Sequence, residues 1–540
     1  MTAVWTSRTG LRFPDHVPAA VRAGWLADGR CPDADLYALF AARVAAHPGR
    51  EAVVLATDPR GGGWDYARLD AEVRRISGLF TEAGLGAGDV VALRLPNGPA
   101  AVAAELAVYA IGAVALPYPV GGGSRDTRAL LGRARARAAV FAEPGDLAAC
   151  AGLPHLATVF TPERDLTGAR WLGARPRAPW RPGRVDPAAP ARLLVSSGSE
   201  AEPKMVAYAH HAMAGGRAAY LRALSPGRAP RRHLVLVSLA SSFGSCGVVT
   251  LAALGGTLLV QPAFDAEAAL RAIGRHRPTH VFGVPTMLRR LAEAPPADAD
   301  LSSLTALVSS GAELPASTAR ACERRFRRPV ITVYGSSDGV NCHTVYRPEP
   351  AGLAGVPDPD VAEIRITDPE GRRLPPGEPG EIQARGPMTP LCYVGDPALD
   401  ARYRTADGWV RTGDLGRLDE AGRLFLLGRL RNVVIRGGYN ISPAEVEREL
   451  GAHPAIAEAA CVPVPDPELG ERLCACVLAA PDGPAPALAD LNAFLLRDRG
   501  LEKRKLPERL LTLTAMPYGP TGKICRRTLT ERATAHFGQA

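Results

Sequence analysis

Four short segments hold residue types suited to handling a nucleotide. In the first, the apolar run Leu193-Leu194-Val195 passes into Ser196, Ser197, Gly198 and Ser199 and reaches Lys204. Hydroxyls and glycine N–H groups after a strand can cradle a phosphate chain, and the lysine can neutralise one charge. In the second, the strand pattern Val330 to Val333 leads to Tyr334, Gly335, Ser336, Ser337 and Asp338. A tyrosine face can meet a base, hydroxyls a phosphate, and a carboxylate Mg²⁺. The third pairs Thr412-Gly413-Asp414 with Gly428-Arg429. An aspartate at a tight turn can accept both hydroxyls of a ribose, and Arg429 adds a cationic donor. The fourth is a lysine on a glycine turn, Gly522-Lys523. Taken singly, each segment is also an ordinary turn.

The elements that would position these segments follow from periodicity. Helical spacing over Ala71 to Ala83 precedes a strand at Val90 to Leu95, a helix at Ala100 to Ile111 and a strand at Ala113 to Pro117. That rhythm predicts α/β architecture with parallel sheets, and it recurs at Arg232 to Val260, Ala266 to Phe282 and Leu304 to Val333. Near residue 360 the pattern changes to short strands between Gly/Pro turns, Val361 to Ile366, Glu381 to Arg385 and Leu424 to Leu427. These predict a small β-barrel-like part. Beyond Arg431 a small α+β unit is expected, opened by a helix from Pro443 to Leu450 with Ser442 as its N-cap. Thr161 to Pro190, rich in Arg and Pro, reads as a surface connection.

Composition narrows the function. At 540 residues two or more packing units are expected, and 46% hydrophobic with 22% charged residues excludes a largely disordered chain. The net charge is +9, but only four of the 64 basic residues are Lys and no basic block occurs, so no nucleic-acid partner is expected. Ten Cys without metal-site spacing fit a reducing cytoplasm rather than a disulfide framework. No signal-peptide core is apparent at the N-terminus. Leu234 to Phe264 lacks charge, but its Ser and Gly content predicts strand, turn, buried helix and strand rather than a membrane span.

In this order the segments resemble the adenylate-forming superfamily of acyl-CoA synthetases, peptide-synthetase adenylation domains and luciferase-like enzymes. Leu95-Pro-Asn97, Ser310-Gly311-Ala312, Arg385-Gly-Pro387 and Arg436-Gly-Gly438-Tyr through Glu447 extend the likeness over roughly residues 35–530. The resemblance implies a large domain, 1–430, and a small mobile domain, 431–540, with a hinge at Arg431. It implies that a carboxylate attacks ATP to give acyl-AMP, and that a thiol then attacks the adenylate. By position Lys523 would bridge carboxylate and α-phosphate, and Asp414 and Arg429 would hold the ribose. Gly311, Ala312, Glu313 and Tyr334 would frame the adenine, and Ser337 would touch the α-phosphate. Gly437 and Gly438 would line the pantetheine channel. Asp338 would serve Mg²⁺, and coenzyme A would be the thiol.

The chain departs from the family pattern at its phosphate loop. Glu200 stands where Thr is expected, Ala201 and Met205 stand for Gly, and Asp338 stands for Glu. A carboxylate about 4 Å from a phosphate charge costs roughly 4 kcal/mol at an effective dielectric near 20. Weak or lost adenylation is therefore one expectation, with thioester formation from acyl-AMP supplied by a partner enzyme. Lys523 supports the other, a complete ATP-dependent acid–CoA ligase. An acyl-AMP ligase loading a separate carrier protein and a non-catalytic adenylate-binding protein are the further readings. The candidates for the acid pocket are Ser241, Ser242, Phe243 and Gly244 in one segment, together with Gly335. The segment's small residues predict room for a bulky carboxylic acid, and its lack of Asp or Glu disfavours an amino acid.

Overall fold

The computed structural model describes the chain except residues 1–2, 59–61, 121–123, 197–203, 228–230, 296–298, 338, 340, 348–349, 351, 431–433, 437–438, 482–484, 520–522 and 538–540. The sequence-predicted calls on Ser197, Gly198, Ser199, Asp338, Arg431, Gly437 and Gly438 lie outside the described residues. For Ser196 only the backbone is described.

Two eight-stranded sheets form the large part. One runs Cys392–Tyr393, Lys204–Ala209, Pro190–Ser196, Val114–Pro117, Val90–Arg94, Ala138–Phe141, Thr158–Thr161, Arg170–Trp171. The other runs Asn341–Val345, Val330–Gly335, Ala306–Ser310, His280–Gly283, Arg232–Val235, Thr257–Val260, Glu51–Leu55, Gly63–Asp65. Most neighbouring strands are parallel, as expected of strands joined by helical crossovers and buried on both faces, but Lys204–Ala209 runs antiparallel to both of its neighbours, and Asn341–Val345 and Gly63–Asp65 are antiparallel edge strands. The helices Tyr66–Glu82 and Pro99–Ala110 pack into a core that both sheets share. The charge-free stretch resolves into the strand Arg232–Val235, the buried helix Cys246–Ala252 and the strand Thr257–Val260. No helix among the described residues is long and apolar enough to cross a membrane.

The short strands after residue 350 form an antiparallel sheet in the order Leu353–Gly355, Leu424–Arg429, Val410–Leu418, Gly380–Arg385, Glu363–Thr367. Its edge strands do not pair with each other among the described residues, so the sheet is open. The barrel-like part expected from the sequence is therefore no closed barrel: Leu353–Gly355 and Glu363–Thr367 remain its two separate edges.

The last sheet starts at Val434 and is built on the long hairpin of Ile456–Asp466 with Gly470–Ala479. The strand Arg509–Leu513 joins it in parallel. Helices cover both faces, giving two small cores separate from those of the large part. The helix Pro443–Leu450 starts where the sequence places it, but Ser442 does not cap it. Its hydroxyl donates instead to the carbonyl of Leu427, 3.0 Å away, and so ties the small domain to the last strand of the preceding sheet.

Candidate active site

Neighbouring strands bring the third segment together. Asp414 and Arg429 are register partners on Val410–Leu418 and Leu424–Arg429. Arg429 Nε lies 2.8 Å from Asp414 Oδ1, and the hydroxyl of Tyr334 donates to Asp414 Oδ2 at 2.7 Å. The Asp414 N–H in turn donates to the Thr412 hydroxyl at 3.0 Å. One buried carboxylate is thus fixed by a cation, a phenol and its own turn. Burial, followed by the Asp414 charge, pushes the Tyr334 phenol well above its ordinary pKa, so it remains a donor.

Lys523 joins this group from the small domain. A Cβ built on Gly311 would lie 3.2 Å from Lys523 Cε, so the lysine stem passes over the glycine. Gly311 has φ +94°, a conformation that L side chains rarely adopt. Lys523 retains accessible surface yet has protein on most sides, as a group at a cleft mouth does. That crowding, with the Arg429 charge next, lowers its pKa. Gly311 is half-buried, whereas Ala312 and Glu313 are exposed. A second bridge between the domains meets at Glu458, on the hairpin of the small sheet. It forms an ion pair with Arg289, on the helix Pro285–Glu293, and accepts a hydrogen bond from the hydroxyl of Tyr518.

The phosphate segment is anchored at both ends. Ser196 and Lys204 are register partners on antiparallel strands, and Lys204 Nζ lies 4.2 Å from the centroid of the Tyr403 ring. Tyr208 donates from its hydroxyl to the Ser337 carbonyl at 2.7 Å. That bond fixes the turn after Tyr334, where Gly335 is exposed and Ser336 and Ser337 are half-buried. Asp338 cannot be placed. Among the described residues no three His, Cys, Asp or Glu side chains gather in a way that could hold a metal.

The acid segment is a tight turn. The Ser241 hydroxyl donates to the Ser238 carbonyl at 2.7 Å and accepts from the Gly244 N–H at 2.9 Å. A Cβ at Gly244 would lie 2.0 Å from the Ser238 carbonyl oxygen, so only glycine fits there. Phe243 packs on Phe282, with 5.6 Å between ring centroids. The backbone before this turn is clamped by Asn97, whose amide donates to the Val237 carbonyl at 3.0 Å and accepts from the Leu239 N–H at 2.9 Å.

Some contributors have no motif to reveal them. Arg192, fully buried on the strand Pro190–Ser196, pairs with Glu105 and donates to the Leu239 carbonyl at 2.6 Å. Tyr109 bonds the same carboxylate. Glu458 likewise belongs to no motif. Their sequence signals are weak: a charged residue inside an apolar or small-residue stretch.

These features define a nucleotide-handling ligase of two domains. The chain matches the model of the AMP-binding enzyme family over residues 40–394 and that of the AMP-binding enzyme C-terminal domain over residues 445–523, and it belongs to that family. Within it the chain falls in the acyl-CoA synthetase branch of the adenylate-forming superfamily and is an acid–thiol ligase. A salicyl-AMP ligase / salicyl-S-ArCP synthetase of Mycobacterium tuberculosis is 31% identical, covering 96% of this chain and 93% of its own. A feruloyl-CoA synthase of an Amycolatopsis species is 33% identical over 88% of this chain and 96% of its own. The solved structure of the amide bond synthetase McbA from Marinactinospora thermotolerans is 34% identical, with a TM-score of 0.80, covering 91% of this chain and 99% of that one.

Proposed function

We propose that this chain converts a bulky aromatic carboxylic acid into its CoA thioester by way of acyl-AMP, and that it retains both half-reactions. The observation that carries this reading is the seating of Lys523 over Gly311 beside Arg429. A lysine there stands at the nucleotide, where its charge can draw an incoming carboxylate to the α-phosphate. Asp414 would accept from the ribose hydroxyls, with Tyr334 and Arg429 holding its orientation. Gly311, Ala312 and Glu313 would border the adenine. Ser337, fixed through Tyr208, would meet the α-phosphate. Ser196 through Ser199 and Lys204 would embrace the leaving phosphates. Mg²⁺ would accompany ATP, with Asp338 as its protein ligand.

The second half-reaction would follow rotation of the small domain, 431–540, on the large domain, 1–430, about Arg431. Release of the Glu458 bridge would accompany it, and Gly437 and Gly438 would then line the thiol channel. The aromatic acid is supported by the small residues of Ser241 to Gly244, by the acyl groups named in the two relatives, and by the absence of a carboxylate to anchor an α-amino group.

A second reading rests on Glu200, Ala201, Met205 and Asp338: slow adenylation, with thioesterification of acyl-AMP supplied by a partner enzyme. The named relatives also differ in acceptor. A paired mass-spectrometric assay separates these. One arm holds aromatic acids with ATP, Mg²⁺ and CoA, the other holds synthetic acyl-AMP and CoA. Parallel arms replace CoA with a phosphopantetheinyl carrier protein or an amine. Acyl-CoA in both main arms is expected. Product from acyl-AMP alone would overturn the complete-ligase reading, and product only with the carrier or amine would overturn the assignment of CoA.

A further inference from the structure

We propose that Arg217, with Tyr220 beside it, recognises a second oxygen acceptor on the acid, either a phenolic oxygen or a second carboxylate. The inference rests on the ligase reading and narrows its substrate class. Arg217 closes the π-helical turn Met213–Arg217 and is only 2% exposed. Its Nη1 donates to the Ser242 carbonyl at 2.9 Å, and its guanidinium carbon lies 5.2 Å from the centroid of the Tyr208 ring. Its Nε and Nη2 have no hydrogen-bond partner, and no carboxylate pairs with it among the described residues. The equally buried Arg94 and Arg192 each meet a carboxylate, Asp146 and Glu105. Tyr220, three residues on and so on the same helical face, is fully buried with its hydroxyl likewise unpartnered. The His343 ring faces it at 6.4 Å, and the Cys246 thiol lies beside Arg217.

Buried donors left unpaired are costly and rare, and a buried cation without a counter-charge more so. Their location indicates what completes them. Arg217 reaches on one side to Ser242, in the acid segment. On the other it touches Tyr208, which holds the Ser337 carbonyl next to the expected α-phosphate. In an acyl-AMP the acyl carbon is one oxygen away from that phosphorus, so the acyl group would extend from Ser337 toward Ser242, past Arg217. An oxygen acceptor on that group would take the free guanidinium donors and the tyrosine hydroxyl.

The test measures calorimetric binding of acylsulfamoyl adenosines, stable mimics of acyl-AMP. The probes carry benzoyl, each of the three monohydroxybenzoyl groups, and the monoacyl groups of the benzenedicarboxylic acids. At least one oxygen-bearing probe is expected to bind about ten- to a hundredfold more tightly than the benzoyl probe. Its substituent decides between phenol and carboxylate. Arg217→Met should abolish that preference while leaving benzoyl binding intact, Arg217→Lys should keep part of it, and Tyr220→Phe, which leaves the ring in place, should reduce it. Ligand-free Arg217→Met should melt no lower than the parent, because it removes unpaired buried donors. Equal binding of all probes by the parent would overturn the assignment and leave the ligase reading standing. So would an equal loss for every probe in Arg217→Met together with a lower melting temperature. Binding of none of the probes would overturn the ligase reading itself, and the assignment with it.

Discussion

Gly311→Ala tests whether the lysine of the small domain works through its contact with this glycine. The backbone φ of +94° is unfavourable for alanine, at a cost of about 1–2 kcal/mol. The new methyl would lie 3.2 Å from Lys523 Cε and 3.5 Å from Val284 Cγ1. The valine contact is ordinary. The lysine contact is tight, and the lysine stem is the partner able to yield, so Nζ is displaced from its seat over Gly311 beside Arg429. A misplacement of that kind costs up to about a hundredfold in a positioned reaction. ATP–pyrophosphate exchange in the presence of the acid should therefore fall by about ten- to a hundredfold. Thioester formation from supplied acyl-AMP should fall far less, because in the proposed cycle the small domain has rotated by that stage. Equal losses in both assays would show that the glycine serves the nucleotide site alone. An unchanged exchange rate would refute the role of the contact altogether.

Tyr334→Phe removes the phenol that donates to Asp414 at 2.7 Å, and a charge-assisted bond of about 1–3 kcal/mol predicts roughly tenfold weaker binding of acyl-AMP mimics in calorimetry. Lys523 has a lowered pKa, so its charge is lost at lower pH than an ordinary lysine's. The alkaline limb of kcat/KM for adenylation should sit below pH 10.5 and vanish in Lys523→Arg. Glu458→Gln weakens the bridge to Arg289 and Tyr518, and should shift the ratio of thioesterification to adenylation rates upward by about tenfold. Burial holds His210 and His233 at a pKa of about 3 and His211 and His280 at about 4, below the ordinary 6.5. The unfolded chain then binds protons that the folded chain refuses, so stability falls as pH drops from 6.5 toward 3. His233→Asn should flatten that fall by about 1.4 kcal/mol per pH unit in urea titrations.

Much of this molecule was legible in its sequence, for reasons that differ by element. The β–α–β periodicity placed Val90–Arg94, Pro99–Ala110 and Val114–Pro117 to within a residue or so, because strands buried on both faces leave an unbroken apolar run. That Asp414 and Arg429 belong together was expected from the resemblance, whereas their placement on paired strands rather than at turns, 2.8 Å apart, was not legible. Ser442 was misjudged because a side chain that suits an N-cap can also reach across to another strand, and tertiary contact decides between them. Closure of the five-stranded sheet was overestimated because strand count and turn spacing carry no information on curvature. Arg217 and Tyr220 escaped notice because being unpartnered is a property of surroundings, which sequence spacing does not record.

The Leu239 backbone is held from two directions, by Asn97 and by Arg192, and Arg192 belongs to the strand that ends at the phosphate segment. On the proposed roles of these segments, acid selection and phosphate handling share a foundation. A substitution that moves the Ser238–Gly244 turn to admit a new acid also pulls on the strand beneath the phosphates. Changes in substrate range will be epistatic with Arg192 and Glu105, two buried residues behind the turn. In a laboratory lineage selected for new acids, mutations at the acid turn should be followed by compensating ones in the buried trio of Arg192, Glu105 and Tyr109.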